Sequence, residues 1–263
     1  MRLPIYQIDA FADEVFKGNP AAIMPLEKWL PDATMQAIAA ENNLAETAFF
    51  VPENGGYGLR WFTPEVEVDL CGHATLASAW VIFHKLDGAR GSIDFHTKSG
   101  TLTVSQDGES GRLLLDFPAR PPQPATACAG LLQALGVPPV ETLAARDYLL
   151  VYDDAETVRN LRPDMQGLMS LDRFAVIVTA PGDRPGIDCV SRFFAPAKGI
   201  PEDPVTGSAH CTIVPYWAER LGKTEITAYQ ASKRGGTLHC RLDGDRVRMA
   251  GSCRAFMEGS VTL

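Results

Sequence analysis

Glu46 is a carboxylate set in an apolar run, with Leu44, Ala45, Thr47, Ala48, Phe49, Phe50 and Val51 around it. Burying an ionised carboxylate is costly, so such a group is expected to have a raised pKa. A Glu of that kind can accept a proton and return it near neutral pH, as a general acid–base does. The competing reading is a strand-edge Glu that faces water or pairs with an Arg. His73 follows Gly72 at the start of an apolar stretch. A helix beginning there would favour a neutral imidazole and attract an anion, although a packed or capping histidine fits equally well. Asp203 precedes Pro204, and Ser208 sits between Gly207 and Ala209. Asp203 can orient His73, and Ser208 with the neighbouring amides can hold a carboxylate. A turn-forming Asp and a helix N-cap Ser are the plainer alternatives.

What raises these residues above their plainer readings is repetition. Arg60-Trp61-Phe62-Thr63-Pro64 is followed by an acidic loop and then Cys71-Gly72-His73-Ala74. Arg192-Phe193-Phe194-Ala195-Pro196 is followed by an acidic loop and then Thr206-Gly207-Ser208-Ala209. Two related halves, each delivering a loop to a helix N-terminus, can form a cleft with two anion-binding ends. Aligning the halves puts Arg173 roughly where Glu46 stands, so only one half offers the acid.

The elements that must carry these residues follow from pattern. Residues 4–10 read as a first strand, 16–20 as a turn and 21–24 as a short returning strand. A helix is expected over 33–41, with Asp32 as its N-cap and Met35, Ile38 and Ala39 on one face. Residues 44–51 form a strand with Glu46 inside it. Residues 72–86 are apolar nearly all round, which predicts a central helix wrapped by strands. A meander over 93–97, 100–106 and 112–117 comes next. The proline-rich stretch 118–124 is the linker candidate. The second half repeats the plan: strands at 147–152, 174–178 and 192–195, a buried helix at 208–221, and late strands at 238–242 and 246–249. Residues 255–263 form a final strand able to return to either lobe. The expected lobes are therefore 1–117, completed by 255–263, and 118–254. One long buried helix per half among dominant strands is an α+β architecture, with two pseudo-symmetric lobes of mostly antiparallel sheet around a central helix.

Composition excludes several classes. The 263 residues are 46% hydrophobic with a net charge of −8, which favours packed cores and disfavours nucleic-acid or anionic-membrane partners. No apolar run has membrane-span length and the first residues lack a signal-peptide core, so a cytoplasmic protein is expected. The six cysteines have no CxxC or zinc spacing, and buried free thiols are expected. Cys71 stands apart, because a thiolate would be stabilised before a helix N-terminus. There is no GxSxG, HExxH, GxGxxG or P-loop, so neither a metal nor a nucleotide has a recognisable seat.

The chain resembles the PhzF-like (phenazine biosynthesis PhzF) family of the diaminopimelate-epimerase fold. The resemblance runs end to end through Asp9-Ala10-Phe11, Gly18-Asn19-Pro20, Glu46-Thr47-Ala48-Phe49, Phe62-Thr63-Pro64, Cys71-Gly72-His73-Ala74-Thr75, the stretch Glu202 to Ala209, and Gln230-Ala231-Ser232. It implies two curved sheets, each around a central helix, with the active site between them, and a cofactor-free isomerase that is commonly a homodimer. The family's PhzF enzyme moves a proton between ring carbons of trans-2,3-dihydro-3-hydroxyanthranilate. By motif, Glu46 falls on the proton-shuttling glutamate, and His73, Asp203 and Ser208 on other polar site residues. Asn19, Gly72, Gly207, Ser208 and Ala209 become the substrate-binding set, with no metal. Ala45 stands where the family often has Ser, which removes a hydroxyl contact. Related racemases use one cysteine from each half. Cys71 occupies the first position, but Thr206 occupies the second, so a single-Glu mechanism is preferred. The alternatives are a racemase or epimerase using Cys71, and a non-catalytic small-molecule binder.

Overall fold

Apolar strands and two small-residue helices organise the computed structural model, which describes residues 1–86, 91–108 and 110–263. The chain divides into two compact units, one formed by Met1–Asp116 with Ala250–Leu263, the other by Phe117–Met249. Among the described residues, no helix is long and apolar enough to cross a membrane.

The first unit opens with β1 (Arg2–Ala10), β2 (Asn19–Pro25), α1 (Asp32–Asn42), β3 (Glu46–Glu53), β4 (Gly56–Phe62) and the two-residue β5 (Glu67–Val68). Helix α2 (Gly72–Val81) follows, then β6 (Ser92–Thr97), β7 (Gly100–Gln106) and β8 (Leu113–Pro118), where the chain passes into the second unit. β1 pairs antiparallel with β2, β2 parallel with β3, β3 antiparallel with β4, β4 parallel with β6, and β6 antiparallel with β7. On its other side β1 pairs antiparallel with the final strand of the chain, Cys253–Thr262.

The second unit contains β9 (Gln123–Pro124), α3 (Leu131–Leu135), β10 (Glu141–Ala144), β11 (Tyr148–Val151), α4 (Ala155–Asn160), β12 (Val176–Pro181) and β13 (Cys189–Phe194). It continues through α5 (Gly207–Leu221), β14 (Glu225–Gln230), β15 (Gly236–Asp243) and β16 (Arg246–Gly251); β17 (Cys253–Thr262) is the strand paired with β1. Its pairings repeat those of the first unit in the same order: β10–β11 antiparallel, β11–β12 parallel, β12–β13 antiparallel, β13–β14 parallel, β14–β15 antiparallel. The duplication seen in the motifs is thus a duplication of strand topology.

α2 is buried along almost its whole length and packs on β1, β2 and β3. Ala74, Ala77 and Ala79 let strands approach closely, and its polar side chains are satisfied within the helix: Thr75 donates to the Cys71 carbonyl at 2.6 Å and Ser78 to the Ala74 carbonyl at 2.7 Å. Such i−4 bonds let hydroxyls be buried without an outside partner. The helix expected over 72–86 keeps α geometry only to Val81; Ile82–Leu86 form a π turn. α5 carries Pro215 and is buried from Gly207 to Ala218 apart from Ser208.

Three local expectations are corrected. Asp32 is not the N-cap of α1; Pro31 holds that position without a side-chain cap, and Asp32 lies in the first turn, paired with Arg60 at 2.8 Å. An acid there suits the helix N-terminus, and Arg60 competes for its carboxylate. Glu46 opens β3 rather than lying inside it, because Asn42-Asn43 already ends α1 and Asn43 takes a left-handed cap conformation. The counterpart of Glu46 is Ala175, not Arg173. Phe49 faces Arg60 and Thr47 faces Phe62, while Val178 faces Arg192 and Val176 faces Phe194, so the residue before Thr47 matches the residue before Val176. The second unit still has no acid there.

Candidate active site

In the first unit the starts of three elements converge on one imidazole. β2 begins with the buried Asn19, β3 with Glu46, and α2 with Gly72-His73. The parallel pairing of β2 with β3 places Ala21 beside Glu46 and so brings both strand starts to the same level. Gly18 makes the turn before Asn19 possible: its φ is +66°, and a Cβ there would lie 2.2 Å from the Ala10 carbonyl oxygen. Only glycine fits both conditions.

His73 is the hub. Its Nδ1 lies 3.2 Å from Asn19 Nδ2 and 3.5 Å from Cys71 Sγ; its Nε2 lies 3.1 Å from Glu46 Oε2 and 4.0 Å from Cys71 Sγ. An amide NH₂ is a donor only, so in the neutral ring this Asn19 orientation has Nδ1 accepting and Nε2 carrying the proton; in the charged ring both nitrogens donate and the Asn19 amide turns its oxygen to Nδ1. The Glu46 contact has ion-pair distance but lacks hydrogen-bond direction. Glu46 Oε2 therefore has no hydrogen-bond partner among the described residues, although the residue is only 8% exposed. A buried carboxylate oxygen in this condition is open to a proton or a ligand.

The electrostatics reverse two helix-end expectations. Burial pushes the Cys71 thiol up to about 11, with the Glu46 charge adding to it. At neutral pH Cys71 is thus a thiol, not the thiolate expected ahead of a helix N-terminus. Burial works against a charged His73, contacts with Cys71 and Glu46 favour one, and the balance raises the ring above 6.5. Near neutral pH Cys71 holds its proton, so the contact that matters there is the one with Glu46 at 3.1 Å. A carboxylate in direct contact therefore overrides the weak helix-end preference for a neutral ring.

In the second unit the matching loop is pinned by Gln230, which is fully buried. Gln230 donates to the Asp203 carbonyl at 2.8 Å and to Thr206 Oγ1 at 3.1 Å, and accepts from the Thr206 amide at 2.8 Å. The Thr206 hydroxyl donates to the Asp203 carboxylate. Asp203, itself 8% exposed, is thereby fixed ahead of α5. The matching positions are Cys71 with Thr206, Gly72 with Gly207, and His73 with Ser208. Of the three expected α5 contacts, the Ala209 amide already donates to the Thr206 carbonyl at 3.2 Å. Gly207 and Ser208 remain first-turn amides, where a helix leaves N–H groups without intrahelical acceptors.

Sequence reasoning missed Arg146 and Asp147. Asp147 is fully buried, and Arg146 grips it through Nε at 2.9 Å and Nη2 at 2.7 Å. Nη2 also donates to Ser208 Oγ at 3.2 Å, and the guanidinium lies 4.5 Å from the Phe174 ring centre. A cation is therefore held at the α5 N-terminus. The available signal was an Arg-Asp pair immediately before the apolar run 148–151, where charge has no reason to stand unless it is paired. Gln230 lay in a quoted motif without an assigned role.

His210, one turn into α5, is fully buried. Its Nδ1 donates to the Thr206 carbonyl at 2.8 Å, and its Nε2 has no hydrogen-bond partner among the described residues. Burial lowers its pKa to about 4, only partly opposed by the bond to Thr206. Unfolded, the ring takes up a proton near 6.5; folded, it refuses one until about 4. Its effect is neutral above 6.5, and stability falls as pH drops from there toward 4, by roughly 3 kcal/mol in all. Denaturant unfolding at pH 7 and pH 4.5 should show this fall in wild type and a shallower one in His210→Gln; parallel slopes would refute the assignment. His73 acts in the other window: its raised pKa contributes stability below 6.5 that is lost as pH rises through the folded value.

Comparison with known proteins adds to this geometry. The family model described as "Phenazine biosynthesis-like protein" matches residues 8–259. An "Uncharacterized isomerase" of Pseudomonas aeruginosa is 53% identical over 263 residues, covering 100% of both chains. The crystal structure of a PhzF-family protein from Enterococcus faecalis superposes with a TM-score of 0.96 at 49% identity, covering 100% of both chains. A hydroxyproline epimerase from Agrobacterium vitis is only 8% identical but has a TM-score of 0.60 over 99% of this chain and 92% of its own, a likeness of fold alone. The expected α+β, diaminopimelate epimerase-like architecture is thus the one present.

Proposed function

The chain belongs to the PhzF-like, phenazine biosynthesis-like family of isomerases, and from that premise we propose that it moves a proton between carbons of a small cyclic or amino-acid-like carboxylate without a cofactor. Glu46 is the acid–base. It takes a proton from a carbon activated by neighbouring unsaturation or a carbonyl and delivers one to another carbon, so the formula is unchanged; exchange of the Glu46 acid with solvent between the two steps is what carries deuterium into carbon in D₂O. The observation that carries this reading is the buried Glu46 carboxylate, whose Oε2 lacks a hydrogen-bond partner while His73 stands 3.1 Å away. A charged His73 beside Glu46 stabilises negative charge that develops on the substrate.

Each unit offers a seat for a substrate carboxylate at a helix N-terminus: Gly72 of α2 with Asn19 in the first, and Gly207, Ser208 and Ala209 of α5 with Asp203 in the second. The Arg146 guanidinium beside Ser208 makes the α5 end still more attractive to an anion. The thiol reading has less support. Cys71 is protonated at neutral pH, and Thr206 at its matching position is no carbon acid's base. The family resemblance implies a homodimer, and we propose a cytoplasmic homodimer as the working form.

The test is proton NMR in D₂O with dihydrohydroxyanthranilate and a panel of amino and hydroxy acids. Deuterium should enter a carbon position of at least one compound only when enzyme is present. A compound that binds tightly by calorimetry, with no exchange at carbon in any compound, would establish a binder instead.

A further inference from the structure

We infer that Glu46, Cys71 and His73 form a Zn²⁺ site, and that a bound zinc ion switches the isomerase off. The three side chains are all buried, and one ligand atom from each lies within 4.8 Å of the others. They bring a carboxylate oxygen, a sulfur and an imidazole nitrogen, a mixture that zinc accepts and that magnesium or calcium does not.

The spacing supports this. Zinc–ligand bonds of about 2.0 to 2.3 Å in a tetrahedron set the ligand atoms roughly 3.3 to 3.6 Å apart. Here Glu46 Oε2 and His73 Nε2 are 3.1 Å apart, and Cys71 Sγ and His73 Nε2 are 4.0 Å apart. With every ligand atom within 4.8 Å of the others, side-chain adjustments of about 1.5 Å or less would close the site around an ion.

Two further observations point to a cation. Glu46 Oε2 is buried and has no hydrogen-bond partner among the described residues, so a ligand would meet an acceptor that nothing else occupies. Ligation through His73 Nε2 releases that nitrogen's proton to solvent from the charged ring and leaves the Nδ1 proton, which faces the Asn19 side chain at 3.2 Å. Rotating that amide turns a carbonyl oxygen toward the proton and gives the outer-shell acceptor that a zinc-bound imidazole normally has. Binding displaces the Cys71 proton to solvent, and the sulfur then bonds the metal as thiolate. The fourth position is left for water.

The inhibition rests on the proposed role of Glu46: a carboxylate bound to zinc cannot take a proton from carbon. The binding does not rest on it, and the test separates the two. Metal-free protein is titrated with Zn²⁺ by calorimetry and with Co²⁺ by absorption, in wild type, Cys71→Ser, His73→Gln and the control Cys128→Ser. One metal per chain is expected, with a near-ultraviolet thiolate-to-cobalt band in wild type and Cys128→Ser that Cys71→Ser abolishes. Cys71→Ser and His73→Gln should weaken Zn²⁺ by more than the roughly 10- to 100-fold that loss of an outer-shell partner costs. Absence of binding, a cobalt complex without the thiolate band, or unchanged affinity in Cys71→Ser overturns the site. Zinc at saturation should abolish deuterium exchange; exchange that continues at full rate overturns the switch. If zinc binds as described but no compound ever exchanges, the isomerase reading falls and the metal site stands.

Discussion

Glu46→Gln is expected to lower the rate of proton transfer at carbon by about 10²- to 10⁴-fold, the usual contribution of a positioned general acid–base. Gln keeps the shape and one acceptor oxygen but has no site that can take a proton. The loss should fall on kcat, with KM changing little, because the substrate carboxylate is held by other groups. The fold should survive. The substitution leaves the buried His73 ring without the carboxylate at 3.1 Å, so the melting temperature should fall modestly while the fold is kept. An independent reading comes from His73, whose ring is held above 6.5 partly by the Glu46 charge. In the variant its NMR titration should move down. A rate within a few-fold of wild type would remove Glu46 from the mechanism.

Arg192→Met should cost about 3 kcal/mol of stability, the low end of the range for breaking a buried ion pair from one side, because the Glu202 side chain is 25% exposed. The Arg192 side chain is 9% exposed and serves two roles at once. Nε and Nη2 hold Glu202 at 2.7 and 3.0 Å. Nη1 donates to the carbonyls of Val158 and Leu161 at 3.1 and 2.8 Å and so caps the end of α4. Met fills the volume over Phe194 but leaves those carbonyls without their donor. Arg60 is the matching residue of the first unit, yet its variant should lose only about 1 kcal/mol. Its Asp32 partner is 76% exposed, and Glu67 keeps Lys98 at 2.7 Å. Chemical denaturation of both variants tests the contrast. Equal losses would mean that the carbonyl contacts carry no weight.

The legible part of this chain was the part written in local pattern. The repeated Arg-aromatic-Phe segments and the small-residue helices announce the duplicated fold, because strand periodicity and an apolar helix surface are properties of neighbouring residues. Glu46 and His73 were legible for the same reason, each being out of place in its own surroundings. Asp32 was misread because a capping residue and a first-turn acid look alike until Arg60 is positioned. Ala175 was missed as the counterpart of Glu46 because register is fixed by cross-strand pairing, which a linear alignment through loops of different length does not see. The charge states of Cys71 and His73 were misjudged for a related reason. The helix end is visible in sequence, whereas burial and the approach of a carboxylate from another strand are not. Arg146 and Asp147 matter only once the tertiary fold brings Ser208 beside them.

Strand β17 spans the last residues of the chain and lies against β1, from Arg2 opposite Thr262 to Ala10 opposite Cys253. During synthesis, then, β1 leaves the ribosome with one edge open and keeps it open until β17 has been made. The second unit, continuous from Phe117 to Met249, has all of its own strands before that moment. Assembly should therefore run against the direction of synthesis: the half made later can complete itself first, and the half that carries Glu46 waits for β17. An unpaired strand edge in a nascent chain is a template for other chains. Stalled or C-terminally truncated products of this gene should consequently aggregate through β1, and a new terminus cut within the first unit would relocate that hazard rather than remove it.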